Sequence, residues 1–536
     1  MADTGTAGAA RTPGTSPANP GRVLTALILV AGVANLNLSV ANVALPEIGR
    51  DFDSSQTMLN LVAVGYSLGL AASVLYLGAI GDTHGRKKML IAGMCLSAPA
   101  CLLAAYAPSD TVLFGARVLG GLSAGMAYPT TLSLVAALWT GPPRTKAIAL
   151  WSSIGGAISA MGPLAAGAAL QYFWWGSVFL LTLPLLVVAL LMAVRNVPAN
   201  VHESSEPVDN LGGVLSVLMV AGLVLAVNFA PMPNAGAAVL GLAAVAVAAG
   251  VAFVLRQRRA RFPLYDLSVA SRRTFWVAAL AGMIVFGSLM GALFIGQQFM
   301  QNVLGYTSLQ SGAAILPSPV LMALCAPRSA KLVERYGARF TLLVGYAFCF
   351  LGFAVMLLLW REGVDYWRVG LAYALLGSGV GFAGTPASRS LTNSVPVTRA
   401  GMASGTADLQ RDLGGAIMQS LLGALLTAGY AKSFAQQVSA SPESASISQA
   451  TEAELQKSFG SAADTAARYP AYSEQIIAAA QQAFLSGDQW AYSAAMLAIA
   501  VGIVLVATLF PRHDAELALL AAYARADRPA RAATPG

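Results

Sequence analysis

Two carboxylates four residues apart, Asp408 and Asp412, sit beside Arg411 inside the apolar run 401–430. Four residues is close to one helical turn, so both acids share a face. Asp412 then falls about 16 Å along the helix. Two like charges buried side by side do not both stay ionised cheaply, and a group that carries a proton across a barrier needs that property. Arg411 can neutralise either acid and leave one free. The same three residues can equally serve as an ionic knot that ties helices together. A second costly charge, Arg117, lies about 9 Å into the run 111–137. A guanidinium at that depth must face the interior of a bundle and find a partner.

The elements that hold these charges are apolar from end to end. The 536 residues are 57% hydrophobic and 10% charged, against about 25% charged in soluble domains. Candidate spans are 22–45, 57–80, 88–107, 111–137, 146–170, 173–194, 211–229, 235–255, 275–301, 310–330, 339–360, 367–392, 401–430 and 490–510. That predicts about fourteen transmembrane helices at roughly 20 residues each. Residues 1–20, rich in Gly, Pro, Thr and Ala, read as a disordered cytoplasmic tail without a signal-peptide core.

The net charge of +8 is explained by placement and is no sign of nucleic acid. Arg86, Lys87, Lys88, Arg256, Arg258, Arg259, Arg272, Arg335 and Arg339 fall in alternate connections. Glu47, Asp51, Asp53, Asp110, Glu452, Glu454 and Glu474 fall in the others. The positive-inside rule puts both termini in the cytoplasm of a multi-pass cell-membrane protein. Arg258, Arg259 and their neighbours in the linker 256–273 are placed to meet anionic lipid headgroups. Cys95, Cys101, Cys325 and Cys349 all lie in spans and read as buried thiols. His84, His202 and His513 are scattered, so no metal site is expected. No G-x-x-x-x-G-K-[ST] occurs, so nucleotide would have to act through another chain. Ala-rich composition with Arg over Lys points to a bacterium.

Two groups of six spans, 22–194 and 275–510, flank a linker, 195–273, that carries two further spans. An external segment, 431–488, and a tail, 511–536, complete the order. Gly78-Ala-Ile-Gly-Asp82-Thr-His-Gly85-Arg86-Lys87-Lys88 is echoed by Ala330-Lys-Leu-Val-Glu334-Arg335-Tyr-Gly337-Ala-Arg339. Such internal repeats place a binding site between halves near the bilayer midplane.

The motifs carry a resemblance. Gly155, Gly162-Pro163 and Ala166-Gly167 line one helix face almost without side chains, and a proline there is tolerated in lipid. The pattern resembles the antiporter motif of drug exporters of the major facilitator superfamily, with Ala166 where glycine is usual. Gly78 to Lys88 resembles that family's most general signature. It implies that Asp82 and Arg86, about the Gly85 turn, form a charge latch. Leu36-Asn37-Leu-Ser-Val-Ala-Asn42-Val-Ala-Leu-Pro46 resembles the fourteen-span drug/proton antiporter signature, but Asn37 stands where the family has an aspartate able to pair with the fourth-span arginine. An amide cannot titrate. Arg117-Val-Leu-Gly120-Gly121 resembles the family's proton-linked arginine motif with Gly120 in place of glutamine. Asp408 and Asp412 map onto the membrane acids of quaternary-ammonium pumps. Gln297, Gln298 and Gln301, followed by Gly305 to Pro317, match the same family.

The resemblance implies an all-α integral membrane protein of the major facilitator fold, two six-helix halves plus two linking helices. It implies a transporter rather than an enzyme: proton-coupled efflux of lipophilic or amphipathic small molecules by alternating access, powered by the proton gradient without a cofactor. Asp412, Asp408 and Arg117 are the expected coupling residues, and Asn37, Asn42, Tyr66, Gln297 and Gln301 the expected cavity. Tyr128, Phe294 and Phe299 are further ring contacts. A dedicated exporter of a neutral or anionic lipid or metabolite, and a membrane scaffold or sensor, are the alternatives.

Overall fold

The computed structural model describes residues 19–139, 141–199, 207–232, 234–395, 400–441 and 447–527. The tail expected over 1–20 therefore lies outside the described residues except for Asn19 and Pro20. Among the described residues every regular element is a helix. The first half is α1 (Pro20–Ser39), α2 (Ala41–Phe52), α3 (Gln56–His84), α4 (Arg86–Ala105), α5 (Asp110–Leu138), α6 (Gly141–Leu170), α7 (Ser177–Leu180) and α8 (Thr182–Asn196). The linker holds α9 (Asn210–Phe229), α10 (Gly236–Arg259) and the short α11 (Leu267–Ala270). The second half is α12 (Arg273–Asn302), α13 (Ser308–Ala314), α14 (Pro317–Leu359), α15 (Tyr366–Asn393), α16 (Ala400–Ala440), α17 (Gln449–Lys457), α18 (Phe459–Arg468) and α19 (Ser473–Leu509), with α20 (His513–Ala526) behind it.

Twelve helical stretches among the described residues are long and apolar enough to cross a membrane. One of them, Ser308–Leu359, has 52 residues, far more than the roughly 20 that one crossing needs. It is broken at Gly337, whose φ of 85° no other residue type adopts easily. The 30-residue α6 is a further long helix. Fourteen crossings are compatible with this arrangement. Gly85, at φ 110°, makes the corresponding break between α3 and α4, so the sequence echo is also a structural one.

Local chemistry sets the helix ends. Ser55 and Ser109 accept from the backbone N–H groups of Met58 and Val112 and cap α3 and α5. Asp209 caps α9 through Gly212 and also accepts from Arg256 and Gln257 at 3.0 Å, which ties α10 to α9. Within the bundle, close contact replaces hydrophobic drive, because lipid tails are as apolar as leucine. Gly69 and Gly121 face each other across α3 and α5, where any Cβ would run into the backbone carbonyls of Val118 and Tyr66. α9 lies against α3 and α16, and its Asn228 donates to Ser420 at 2.6 Å. α10 keeps Leu240, Val247 and Val251 outward.

The segment 431–488, expected as an external loop, is shorter than its polarity implied. α16 runs on to Ala440 and α19 begins at Ser473, because both extensions are rich in alanine, the best helix former. What remains is a strap of α17 and α18. It holds the first half at Asp53, which accepts from Lys457 at 2.6 Å and Ser461 at 2.8 Å. It holds the second half through Tyr430, which donates to the Leu455 carbonyl at 3.0 Å, and through the Phe459–Phe484 ring contact. Although partial burial works the other way, Lys457 and Ser461 hold the Asp53 carboxyl below the usual carboxylate range. At the other, basic end, α20 is clamped by Arg272. Its guanidinium donates to both oxygens of Asp527, at 2.9 and 2.5 Å, and lowers that carboxyl below its ordinary range.

Candidate functional site

α16 brings Asp408, Arg411 and Asp412 against Tyr128 of α5, so the cluster joins the two halves. Arg411 donates through Nε to Asp412 Oδ1 at 3.2 Å and through Nη1 to the Tyr128 hydroxyl at 2.7 Å. Its guanidinium carbon stands 4.7 Å from the centre of the same ring. The Asp412 side chain is 1% exposed, and its Oδ2 has no hydrogen-bond partner among the described residues. Asp408 is also buried, with Arg411 and Asp412 as the charges acting on it. One cation therefore serves two buried carboxyls. With both ionised the cluster carries an uncompensated negative charge, which is expensive out of water. One added proton makes it neutral.

Arg117, 2% exposed, has no carboxylate beside it among the described residues. Nη1 donates to the backbone carbonyl of Asn37 at 2.6 Å and Nε to that of Val62 at 3.4 Å. The guanidinium carbon lies 5.0 Å from the Tyr66 ring centre and 5.7 Å from that of Phe179. The Asn37 side chain turns elsewhere, its Oδ1 accepting from Thr182 at 3.1 Å and Cys101 at 3.4 Å. Main-chain oxygens and ring faces thus stand in for part of the missing acid, and Arg117 Nη2 is left without a hydrogen-bond partner among the described residues. A cavity of about 10 Å³ separates Asn37, Tyr66, Ser97, Cys101 and Arg117, space for about one water. Tyr66 donates to the Ala34 carbonyl at 3.1 Å. Asn42 lies apart on α2, buried, its Oδ1 without a partner among the described residues. Pro46, four residues on, also withholds the N–H that its carbonyl would otherwise receive.

At the end of the bundle opposite α20 the halves are sealed together. Gln56 donates to Gln298 at 2.7 Å, Gln301 to the Val43 carbonyl at 3.0 Å, Ser308 to Glu47 at 3.1 Å and Asn60 to Thr427 at 3.0 Å. The glycine face of α6 belongs to this seal. A Cβ on Gly167 would strike the Ser308 carbonyl, and one on Gly312 the carbonyl of Pro163. Gly162 faces Ser39 of α1, while Gly155 has only the Asn35 amide within reach. A cavity of about 470 Å³ lies above, bordered by Glu47, Arg50, Gln298, Gln301 and Tyr306 and roofed by Phe459. Gln297 does not line it. It is 1% exposed and bonded to Ser311 within its own half, because one residue of helix turns its side chain about 100° from Gln298. Phe294 and Phe299 are likewise packing residues, both fully buried, with Phe299 stacked on Trp360 at 4.8 Å.

At the basic end Arg86 Nε meets Asp82 Oδ1 at 2.8 Å across the Gly85 turn, and Lys87 donates to the Val194 carbonyl at 2.9 Å. In the second half Glu334 faces Arg389 at 3.9 Å. Sequence reasoning missed Asp488, which it placed in the external segment. The acid is 1% exposed inside α19. The available signal was its position two residues before the apolar run that starts at Trp490.

Residues 27–418 match the family described as Major Facilitator Superfamily. The multidrug efflux pump LfrA of Mycolicibacterium smegmatis is 33% identical over 90% of this chain and 94% of its own length. The multidrug resistance protein Stp of Mycobacterium tuberculosis is 32% identical over 73% of each chain. The methyl viologen resistance protein SmvA of Salmonella typhimurium is 28% identical over 90% of this chain and 97% of its own. Among solved structures, an inward-facing, occupied bacterial homologue of the human lysosomal transporter Spinster superposes with a TM-score of 0.62 at 15% identity, over 92% of this chain and 98% of that one. A peptide transporter, POT, in complex with sulfate superposes with a TM-score of 0.60 at 15% identity, over 91% and 94%. The fold, the membrane-spanning helices and these matches together make the chain a member of the Major Facilitator Superfamily of transporters.

Proposed function

We propose that the protein exports lipophilic or amphipathic small molecules across the cell membrane by alternating access, in exchange for protons. The observation that carries the proton part is the cluster of two buried carboxyls sharing one guanidinium at the junction of the halves. The named drug-efflux and resistance relatives support the substrate class. The basic end, by the positive-inside rule, faces the cytoplasm, and the seal at the other end closes the outer mouth, as an inward-facing state requires. Substrate enters from the cytoplasm and displaces the proton shared by Asp408 and Asp412. The seal of α6 on α13 then parts, and reprotonation from outside resets the cycle. The pair of Asp82 and Arg86, formed here within the first half, braces the Gly85 turn, so closure of the cytoplasmic end in the outward state needs partners from the second half. One charge moved through 100 mV is worth about 2.3 kcal/mol, a concentration ratio of about fortyfold. The test is uptake of a panel of labelled compounds into everted vesicles with and without a proton gradient. Gradient-driven uptake of amphipathic compounds supports the reading, and gradient-independent behaviour across the panel overturns it.

Export of a neutral or anionic metabolite or lipid is favoured by one feature, the lone charge of Arg117 beside Asn37. Asn37→Asp is therefore expected to raise transport of a permanent cation about tenfold relative to a neutral dye, since a carboxylate near the cavity is worth about 1.4 kcal/mol to a cation. Equal transport of both by the variant would show that this position does not set substrate charge.

A further inference from the structure

We propose that Asp488, with Tyr373 and Tyr492, is a separate proton-binding site in the second half, one that links outside pH to sealing of the outer mouth. The proposal rests on the orientation in the proposed function, but not on which compound is exported. Both oxygens of Asp488 are buried without a hydrogen-bond partner among the described residues, and so are the hydroxyls of Tyr373 and Tyr492. Tyr492 stands about one helical turn beyond Asp488 on α19, and the Trp360 ring lies against both Tyr492 and Tyr373.

Among the described residues the surroundings hold no ion-pair partner for Asp488. From α14 comes Phe353 and from just past its end Trp360, both ring neighbours of Tyr492, and from α12 comes Gly296, against the Tyr373 hydroxyl. From α16 comes Tyr430, whose hydroxyl is used by Leu455. Lys432 lies over the Trp490 ring, at 5.2 Å from its centre. No charged side chain among the described residues acts on Asp488. An ionised carboxylate there would be an isolated charge in an apolar pocket. The neutral acid is the form that this packing accommodates.

The site is mechanically joined to the seal. Gly296 packs on the Tyr373 hydroxyl, and two residues further along α12 Gln298 accepts from Gln56 of the other half. Gln481, two turns before Asp488, donates to the Val303 carbonyl near the end of α12. Parting the mouth moves α12 relative to α15 and α19 and admits water. Asp488 then gives its proton to that water, and the two hydroxyls are at hand to solvate the anion. Closure requires the proton to return from the outside medium. Acidic medium outside thus drives resealing.

The test uses the full-length protein carrying Asp412→Asn, which silences the other proton site, in lipid nanodiscs with spin labels on Arg50→Cys and Asn302→Cys, read as the distance across the mouth at acidic and alkaline pH. With the cluster silenced, the chain that keeps Asp488 is expected to shift its open fraction about tenfold per pH unit through the transition, the limit for one proton linked to one equilibrium. Asp488→Asn should stay sealed and lose that dependence, and the infrared carbonyl band of one protonated carboxyl should vanish with it. Tyr373→Phe with Tyr492→Phe keeps the acid but removes the solvating hydroxyls, so opening should need a more alkaline medium. A pH response and infrared band unchanged in Asp488→Asn overturn the proposal. A lost band with an unchanged mouth response overturns the link to sealing. Both readouts are independent of transport, so a failure of proton-coupled export leaves them standing.

Discussion

Asp412→Asn should collapse the gradient-driven accumulation ratio by about fortyfold, all that one proton charge supplies at 100 mV. Asparagine fits the space of aspartate and keeps an oxygen for the Arg411 Nε–H, now 3.2 Å away. What it lacks is the proton equilibrium. Arg411 is then balanced by Asp408 alone, and the cluster is neutral with no proton to exchange. Exchange of labelled for unlabelled substrate, which needs only the rocking step, should persist. The measurement is paired: gradient-driven uptake and zero-gradient exchange in the same vesicles. Full gradient-driven uptake in Asp412→Asn and also in Asp408→Asn would remove the cluster from the coupling mechanism. Arg411→Gln should act in the opposite sense, leaving two acids without a cation and a site that holds its protons into alkaline medium.

Gly312→Val should shift the molecule toward an open outer mouth by about tenfold to a hundredfold. The added side chain meets the Pro163 carbonyl, and overpacking of this kind costs about 1–3 kcal/mol. That cost falls only on the sealed state, because the contact joins α13 of one half to α6 of the other. An equilibrium shift follows rather than general unfolding. The spin-label distance across the mouth reports it directly, and transport should fall in parallel. Gly241→Val is the control, since no atom lies within 4 Å of a Cβ there. An unchanged mouth distance in Gly312→Val would mean that the glycine face is ordinary packing.

The spans were legible because membrane helices announce themselves by length and composition, and the two half-repeats because Gly85 and Gly337 are needed at positive φ. Asp209 was readable as a cap, since capping is local chemistry. The residues that misled are those whose role depends on direction. Gln297 and Gln298 are neighbours in sequence, yet one is locked inside its own half and the other bridges to Gln56. The aspartate missing at position 37 was visible, but the answer to it was not. Arg117 leans on the main chain of that same residue and on two rings, and no pattern of side chains encodes a backbone contact. Asp488 was assigned to a loop because polar, alanine-rich helix and exposed segment share a composition. Only the packing of α19 on α16 tells them apart.

The linker and the strap together have a mechanical consequence. The halves are joined covalently at one face through the chain of α8 to α12, and non-covalently at the other where the strap grips Asp53. Between these ties stands the Arg411–Tyr128 bond. A body fastened at both ends and touching in the middle is a rocker on a fulcrum, not a pair of jaws. Its halves can tilt, but they cannot draw apart as a whole. The width of each mouth is therefore set by how far the opposite tie can stretch.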